Sequence, residues 1–384
     1  MIVPASLSAP PAAPFVAPPS LPEEGLDLLG VDRDGLAAWF AARGEKPFRA
    51  GQVMKWLYHH GVTDCAAMTD LSLALRRRLA AEVRCRPPVV LSEHESADGV
   101  VKWLMGVAGG HAVETVYIPE PRRGTLCISS QIGCALNCTF CATGAQGFAR
   151  NLETAEIVGQ VWRAAERLGH RRHGAQKITN VVFMGMGEPL LNFAAVLPAL
   201  NVLRDDFGFG LAARRVTVST AGVVPLIDRL RAAADVALAV SLHAPDDELR
   251  NELVPLNRKY PIADLLAACR RYVHGRHKAK ITFEYTLIDG VNDGEHQARR
   301  LARLLAVVPC KLNLIPFNPF PGNEYRTADE ARILAFQQIV RERGIVTTVR
   351  RTRGDQIAAA CGQLIGRFTD RTRRRGGRLS PAAA

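Results

Sequence analysis

The spacing of apolar positions changes character along the chain. From Asp32 to about Arg84 they recur at helical spacing, with Leu36, Trp39 and Phe40, then Val53, Trp56 and Leu57, then Leu71, Leu75 and Leu79. Residues three and four apart share one face of a helix, so this stretch predicts a small helical domain over 25–86. From 87 to 120 the pattern becomes short apolar runs, Val89–Leu91, Val100–Val107 and Ala112–Ile118, separated by Asp98-Gly99 and Gly109-Gly110. Glycine dipeptides between alternating runs are hairpin turns, which predicts a short antiparallel β linker.

From Thr125 onward, strand and helix patterns alternate. Apolar, β-branched runs occupy 125–129, 178–185, 215–220, 235–242, 280–288, 311–317 and 345–350. Amphipathic stretches lie between most of them: Thr154–Leu168, Phe193–Leu203, Ile262–Val273, His296–Val307 and Ala328–Arg341. Repeated βα units predict an α/β fold with a parallel sheet covered by helices. Six or seven such units over ~240 residues fit a full or partial barrel better than a doubly wound sheet.

The ends of the predicted strands collect polar and glycine-rich segments. The first runs into a loop holding Cys134, Cys138 and Cys141, the second into Gly185-Met186-Gly187-Glu188-Pro189, the third into Ser219-Thr220-Ala221-Gly222, and the fourth into Ser241-Leu242-His243. Pro316-Phe317-Asn318-Pro319 follows a later strand, and Arg353-Gly354-Asp355 leads to Cys361. Barrels of this kind build ligand sites from the loops at the C-terminal edge of their strands.

The cysteine triplet carries the most chemistry. Three thiols within eight residues can converge on one inorganic centre. Soft thiolates select zinc or iron–sulfur, and both are normally closed by four ligands. Three cysteines leave a position open for a substrate. Cys127, seven residues upstream, could close a structural zinc site, although Leu126-Cys127-Ile128 reads as strand interior, with the thiol turned away from the loop. Packing as small hydrophobes is the third reading, which the bracketing Gly133 and Gly144 disfavour.

Composition adds the partner class. The 384 residues carry Lys and Arg 49 against Asp and Glu 37, a formal charge of +12, which favours a polyanion. Arg49, Lys55, His59, His60 and Arg76–Arg78 lie beside Trp56 and Tyr58 in the helical domain, a combination suited either to RNA or to a solvated face over an aromatic core. Nine cysteines in a chain of this length are too few for a disulfide scaffold, which points to a reducing, cytoplasmic setting. No apolar run reaches the ~18 residues of a membrane span. The Pro- and Ala-rich residues 1–24 and the basic residues 369–384, with Arg371-Thr372-Arg373-Arg374-Arg375, read as a disordered leader and tail.

These motifs resemble a known family. CISSQIGCALNCTFCATGAQGFARNL (127–152), FMGMGEPLLN (183–192), AVSLHAPDDELRNELVPLN (239–257), LIPFNPFPG (314–322) and RTRGDQIAAACGQL (351–364) are similar to the radical S-adenosylmethionine (radical SAM) superfamily. Within it they resemble the RlmN-like dual-specificity 23S rRNA and tRNA adenine methyltransferases, and FRAGQVMKWLYHHGV (48–62) resembles that family's N-terminal domain. The resemblance spans about residues 30–368. It implies a partial (βα)6-type radical SAM barrel over 121–368, a [4Fe-4S] cluster on Cys134, Cys138 and Cys141, and SAM contacts from Gly187, Glu188, Ser219, Ser241, Leu242, His243 and Asn318.

It also implies a reaction. One SAM methylates Cys361, a second generates the radical that activates this methyl group, and the carbon is delivered to carbon 2 of an adenine. Glu114 is the implied base and Cys127 the thiol that frees the product, leaving a transient Cys127–Cys361 disulfide. The implied targets are one adenosine of the peptidyl-transferase region of 23S rRNA and the adenosine beside the anticodon in tRNAs. An electron donor such as flavodoxin or ferredoxin and a monomeric enzyme complete the expectation. Ala135-Leu136-Asn137 and Ala145-Gln146-Gly147-Phe148 look more like this branch than like the related carbon-8 branch that confers antibiotic resistance. Cys65, Cys85, Cys269 and Cys310 match no catalytic motif. A zinc-containing RNA-binding protein and a radical SAM enzyme for small molecules or peptides are the competing readings. Anaerobic purification separates the first of these: the expected protein is brown and contains iron and sulfide, whereas a colourless protein with stoichiometric zinc would exclude the cluster.

Overall fold

A computed structural model of the chain describes residues 25–170, 174–350, 353–354 and 357–371. The expected leader, 1–24, and most of the expected tail, 372–384, lie outside the described residues. The N-terminal region is helical, with α1 (Arg33–Ala41), α2 (Arg49–Met54) continued by a π-turn at Lys55–His59, and α3 (Leu73–Glu82). Asp32 and Ser72 accept from the main-chain N–H groups of Gly35 and Leu75 and so cap α1 and α3. Two short strands, β1 (Leu26–Asp27) and β2 (Val83–Arg84), pair in parallel and close the ends of the region together.

One ten-stranded sheet organises the rest. Strands β3 (Val89–Glu95), β4 (Val101–Val107), β5 (His111–Glu120) and β6 (Arg123–Cys127) form an antiparallel meander. From β6 the sheet continues in parallel through β9 (Asn180–Phe183), β10 (Val216–Thr220), β11 (Ala237–Ser241), β12 (Ile281–Leu287), β13 (Cys310–Pro316) and β14 (Thr347–Val349). A separate antiparallel pair, β7 (Gln131–Gly133) and β8 (Phe148–Asn151), closes the base of the cysteine loop and brackets α4 (Ala142–Gln146). The crossovers run through α5 (Thr154–Arg167), α6 (Phe193–Arg204), α7 (Val224–Ala233), α9 (Ile262–Val273), α10 (Glu295–Leu305) and α11 (Glu330–Glu342), with a short α8 (Asp247–Leu253) ahead of α9. Six crossovers joining seven parallel strands make a partial barrel of the expected (βα)6 type, open between β14 and the meander edge.

Two expectations change. The segment at 87–120 is not a separate linker: β5 pairs with β6 from Glu120↔Arg123 to Val116↔Cys127, so the meander extends the barrel sheet itself. Residues 369–371, expected to begin a disordered tail, are tied down. Asp370 accepts from Phe148 N (3.0 Å) and Arg371 N donates to the Phe148 carbonyl (2.9 Å). The edge of β8 offers main-chain groups that need partners, and the chain end supplies them. Among the described residues no helix is long and apolar enough to cross a membrane.

The helical region is packed on α5 and α6 and shares the main apolar core. Trp162 of α5 is buried and donates its indole N–H to the Leu57 carbonyl at 2.9 Å. Asn201 and Asp205, at the end of α6, bind Asp32 and Arg33. Replacing Trp162→Phe leaves the Leu57 carbonyl without its donor in a dry interface, at an expected cost of about 1–3 kcal/mol. A denaturant titration should show a lower midpoint, and an unchanged midpoint would show that this contact does not hold the two regions together.

Candidate active site

Main-chain geometry positions the cysteine loop. Cys134 N donates to Gly147 O (2.6 Å) across the β7–β8 pair, and Cys141 N to Cys138 O (3.2 Å), just before α4 begins. Gly133 has φ +76°, and a Cβ there would overlap the Gly147 carbonyl oxygen. Only glycine permits both that backbone and that approach. A second layer clasps the loop from outside. Thr139 N donates to Leu253 O (3.1 Å), Asn323 Nδ2 donates to Thr139 O (2.7 Å), and the Thr139 hydroxyl meets the Tyr325 hydroxyl (3.1 Å).

The second strand end sits directly against this loop. Gly187, at φ +95°, lies where a Cβ would overlap the Gln131 side chain. Gln131 Oε1 accepts from Glu188 N at 2.8 Å, while its amide donates to Asn151 (2.7 Å). The Glu188 carboxylate is buried and faces the pocket, with Oε1 accepting from Leu190 N (3.1 Å) and Oε2 from Ala221 N (2.8 Å). Burial raises its pKa to about 7, although both main-chain bonds act in the other direction.

One pocket brings together most of the residues expected from the sequence. Cys134, Cys138, Cys141, Gly187, Glu188, Ser219, Ser241, His243, Asn318 and Cys361 all line it. His243 is fixed in one tautomer. Its Nδ1 accepts from Thr286 N (2.9 Å), which leaves the proton on Nε2, and Phe140 packs on the ring at 4.3 Å. Burial first, and then the Arg250 charge, lower its pKa to about 3, so the ring is a neutral hydrogen-bonding group at physiological pH. Asn318 donates to the Cys361 carbonyl at 3.0 Å.

Three expected residues stand outside the lining. Leu242 is fully buried beneath the pocket and contributes its main chain, its N–H donating to Glu284 O at 3.0 Å. Cys127, the last residue of β6, is buried within electrostatic reach of Cys361. Desolvation, together with Cys361, pushes its pKa up to about 12. Both thiols are free. Glu114 on β5 lies behind the segment that carries Cys361: Oε1 pairs with Lys102 Nζ (2.9 Å) and Oε2 accepts from Ile365 N (2.9 Å). Burial raises its pKa and Lys102 opposes that.

Sequence reading missed several participants. Arg350, the residue after β14, hydrogen-bonds to Cys361, and its positive charge opposes the rise that desolvation imposes on that thiol. Cys361, then Glu284 and Cys127, hold the Arg350 guanidinium in its charged form. Glu284 and Thr286 also line the pocket. Thr286 is near the end of β12 and Glu284 at its middle, and an isolated Glu or Thr in an apolar run carries no motif. Cys65, Cys269 and Cys310 are buried and Cys85 is partly buried, away from the pocket.

The donor set suits an iron–sulfur cluster. Desolvation raises the Cys138 pKa, and Cys134 and Cys141 raise it further, so these thiols ionise together only against a cationic centre. Among the described residues no three His, Cys, Asp or Glu side chains are gathered as ligands of a single metal ion. A cluster asks less convergence than zinc, because each cysteine binds a different iron.

Comparison with known proteins decides the family. Residues 26–85 match the model of the ribosomal RNA large subunit methyltransferase N-terminal domain, and 128–302 that of the radical SAM superfamily. Two dual-specificity RNA methyltransferases RlmN, from Stenotrophomonas maltophilia strains K279a and R551-3, are each 56% identical, across 93% of this chain and 92% of theirs. The chain belongs to the RlmN family. A radical SAM methyltransferase from Sphaerobacter thermophilus has the same fold, with TM-score 0.81 and 47% identity over 88% of this chain and 99% of that one. The RlmN family uses a [4Fe-4S] cluster and SAM, and this chain is accordingly a SAM-dependent RNA methyltransferase.

Glu188 makes the ligand-free protein sensitive to pH. Its pKa in the folded chain lies above the ordinary 4.5, so the folded state binds the proton more tightly. Stability is expected to fall as pH rises from about 4.5 to about 7 and then level off, a span of about 3 kcal/mol at 1.36 kcal/mol per unit. Glu188→Gln should remove that slope in chemical denaturation across this range, whatever constant offset it adds. An unchanged slope would assign the dependence to other groups.

Proposed function

We propose that this RlmN-family enzyme methylates carbon 2 of adenosine, in the peptidyl-transferase region of 23S rRNA and beside the anticodon in tRNAs, through an S-methylated Cys361. The observation that carries the reading is the meeting of Cys361 with Cys134, Cys138 and Cys141 around one pocket, more than ~200 residues apart in the chain. Carbon 2 of adenine has no electron pair with which to attack a sulfonium. A carbon carrier on the protein, activated by a radical, avoids that difficulty.

Cys134, Cys138 and Cys141 would hold the cluster, and Gly187, Glu188, Ser219, Ser241, Leu242, His243 and Asn318 would form the bed for SAM. When bound, the cluster and SAM supply one-electron cleavage of a carbon–sulfur bond, chemistry the protein positions rather than performs. Glu188 and the neutral His243 bring an acceptor and a donor to the pocket, suited to the ammonium and hydroxyl groups of SAM. Two SAM are consumed, one to methylate Cys361 and one to activate that methyl group.

Arg350 opposes the desolvation that raises the Cys361 pKa and so favours the thiolate that receives the methyl group. Glu114 is the base for the ring proton. Burial strengthens it for that role, and reaching the adenine requires exchange of its contact with Ile365 N. Cys127 lies behind Cys361 and is the thiol that attacks its sulfur to release product. The resulting disulfide costs two electrons per turn, drawn, like the cluster's electron, from a donor such as flavodoxin or ferredoxin. The charge of +12 supports RNA binding by a monomeric, cytoplasmic enzyme.

Mass spectrometry tests the reading. Cys361→Ala should abolish methyl transfer to RNA, and Cys127→Ala should trap a covalent protein–RNA adduct. Digested rRNA and tRNA from cells with and without the gene should differ in 2-methyladenosine. Turnover by Cys361→Ala, or 8-methyladenosine in its place, would refute the carrier or the ring position respectively.

A further inference from the structure

Arg250 of α8 is fully buried, with none of its surface exposed. Its guanidinium donates from Nε to Leu242 O (3.1 Å), from Nη1 to Asn257 Oδ1 (2.7 Å), and from Nη2 to Ala221 O (2.6 Å) and Ser241 O (3.0 Å). These acceptors satisfy its hydrogen bonds without cancelling its charge. Among the described residues no carboxylate lies at ion-pair distance from it. Asp247, the acid whose charge acts on it most, is linked to it through Asn257, whose Nδ2 donates to Asp247 Oδ1 at 2.8 Å, and that oxygen also accepts from Ile262 N. A buried charge left unpaired is expensive, and the fold has kept this one.

The charge lies beside the cysteine loop, within electrostatic reach of Cys138. Ala221 and Ser241, two of its acceptors, are residues of the pocket that Cys138 lines. Leu253, at the end of the same helix, accepts from Thr139 N, so α8 buttresses the loop one residue after Cys138. Burial lowers the Arg250 pKa to about 10, and the largest opposing influence is the Cys138 thiol, ahead of Asp247. The guanidinium therefore stays charged at neutral pH.

We propose that Arg250 is a positioning residue that serves as the fixed counter-charge of the cysteine-held cluster and raises the potential at which the cluster accepts an electron. The inference rests on reading Cys134, Cys138 and Cys141 as the ligands. Reduction adds one negative charge to a centre already surrounded by thiolates. A fixed cation at close range, in a medium of low dielectric, favours the reduced form, and net charge and hydrogen bonding are established determinants of cluster potential. The electron itself comes from an external one-electron donor.

The test is a potentiometric titration of the anaerobically reconstituted full chain, read by electron paramagnetic resonance without SAM or RNA. Arg250→Gln removes the charge. Asn257→Asp keeps the guanidinium and places a carboxylate against Nη1. Arg250→Lys keeps the charge and loses the fork. At the parent's midpoint the first two should show a roughly tenfold lower ratio of reduced to oxidised cluster, about 59 mV, while Arg250→Lys stays near the parent. Loss of iron in the first two with full loading of Arg250→Lys is the same result seen at the loading step. A parental potential in loaded Arg250→Gln or Asn257→Asp, or equal iron loss in all three variants, would make Arg250 a structural tie and overturn the proposal. Absence of iron–sulfur from the unsubstituted protein would instead overturn the ligand assignment.

Discussion

Hydrogen bonds between α4 and residues 362–366 carry the relation on which the site depends. Ala142 N donates to Gly362 O (2.7 Å) and the Thr143 hydroxyl to Leu364 O (2.6 Å), and Gln146 binds Gly366 through both ends of its amide. Each joins the helix that follows the cysteine loop to the segment that follows Cys361. Glu114 completes the seam from β5 through Ile365 N, and Arg367 pairs with Ala112 beside it. The proposed reaction, which hands one carbon between two centres, needs them at a set separation, and an error of ~1 Å can cost ~100-fold in rate. Main-chain bonds near both ends of the transfer hold that separation better than long side chains would.

The pocket concentrates charges that would be costly elsewhere. Glu188, Glu284, Arg250 and Arg350 are drawn into protein around a group of thiols that resist ionising. Each is held by main-chain or amide groups, or by a thiol, in preference to a tight carboxylate–guanidinium pair. Such an arrangement leaves net field in the cavity. That is what a site needs when charge will develop on a bound group rather than on its own residues.

Much of this was legible without coordinates. Period-two and period-3.6 patterns located every parallel strand and most helices, because a strand buried on both faces has to be continuously apolar and its covering helix amphipathic. The seven-residue α8 left too few turns for a clear stripe, so it and its Arg250 went unread as a helix, and α7 was missed as well. The meander passed for a linker because hairpin patterning shows that strands pair with each other but not what the last one pairs with next. Glu284 and Arg350 sit in or beside apolar runs and belong to no local motif, so their contributions were invisible, and Gln131, inside the quoted cysteine stretch, carried no sign of its contact with Glu188.

The linear chain by itself determined the cofactor chemistry and the edge of the sheet at which it happens. Cys134, Cys138 and Cys141 are close along the backbone, and strand ends are set by local pattern. Only the tertiary structure decided which distant groups face those cysteines. Cys361 reaches them because the segment after β14 crosses the open side of the barrel back to β5, where Arg367 pairs with Ala112, and Glu114 is placed behind it by the pairing of β5 with β6. Those relations depend on sheet order and on hydrogen bonds spanning more than ~200 residues, and side-chain spacing along a chain carries no record of them.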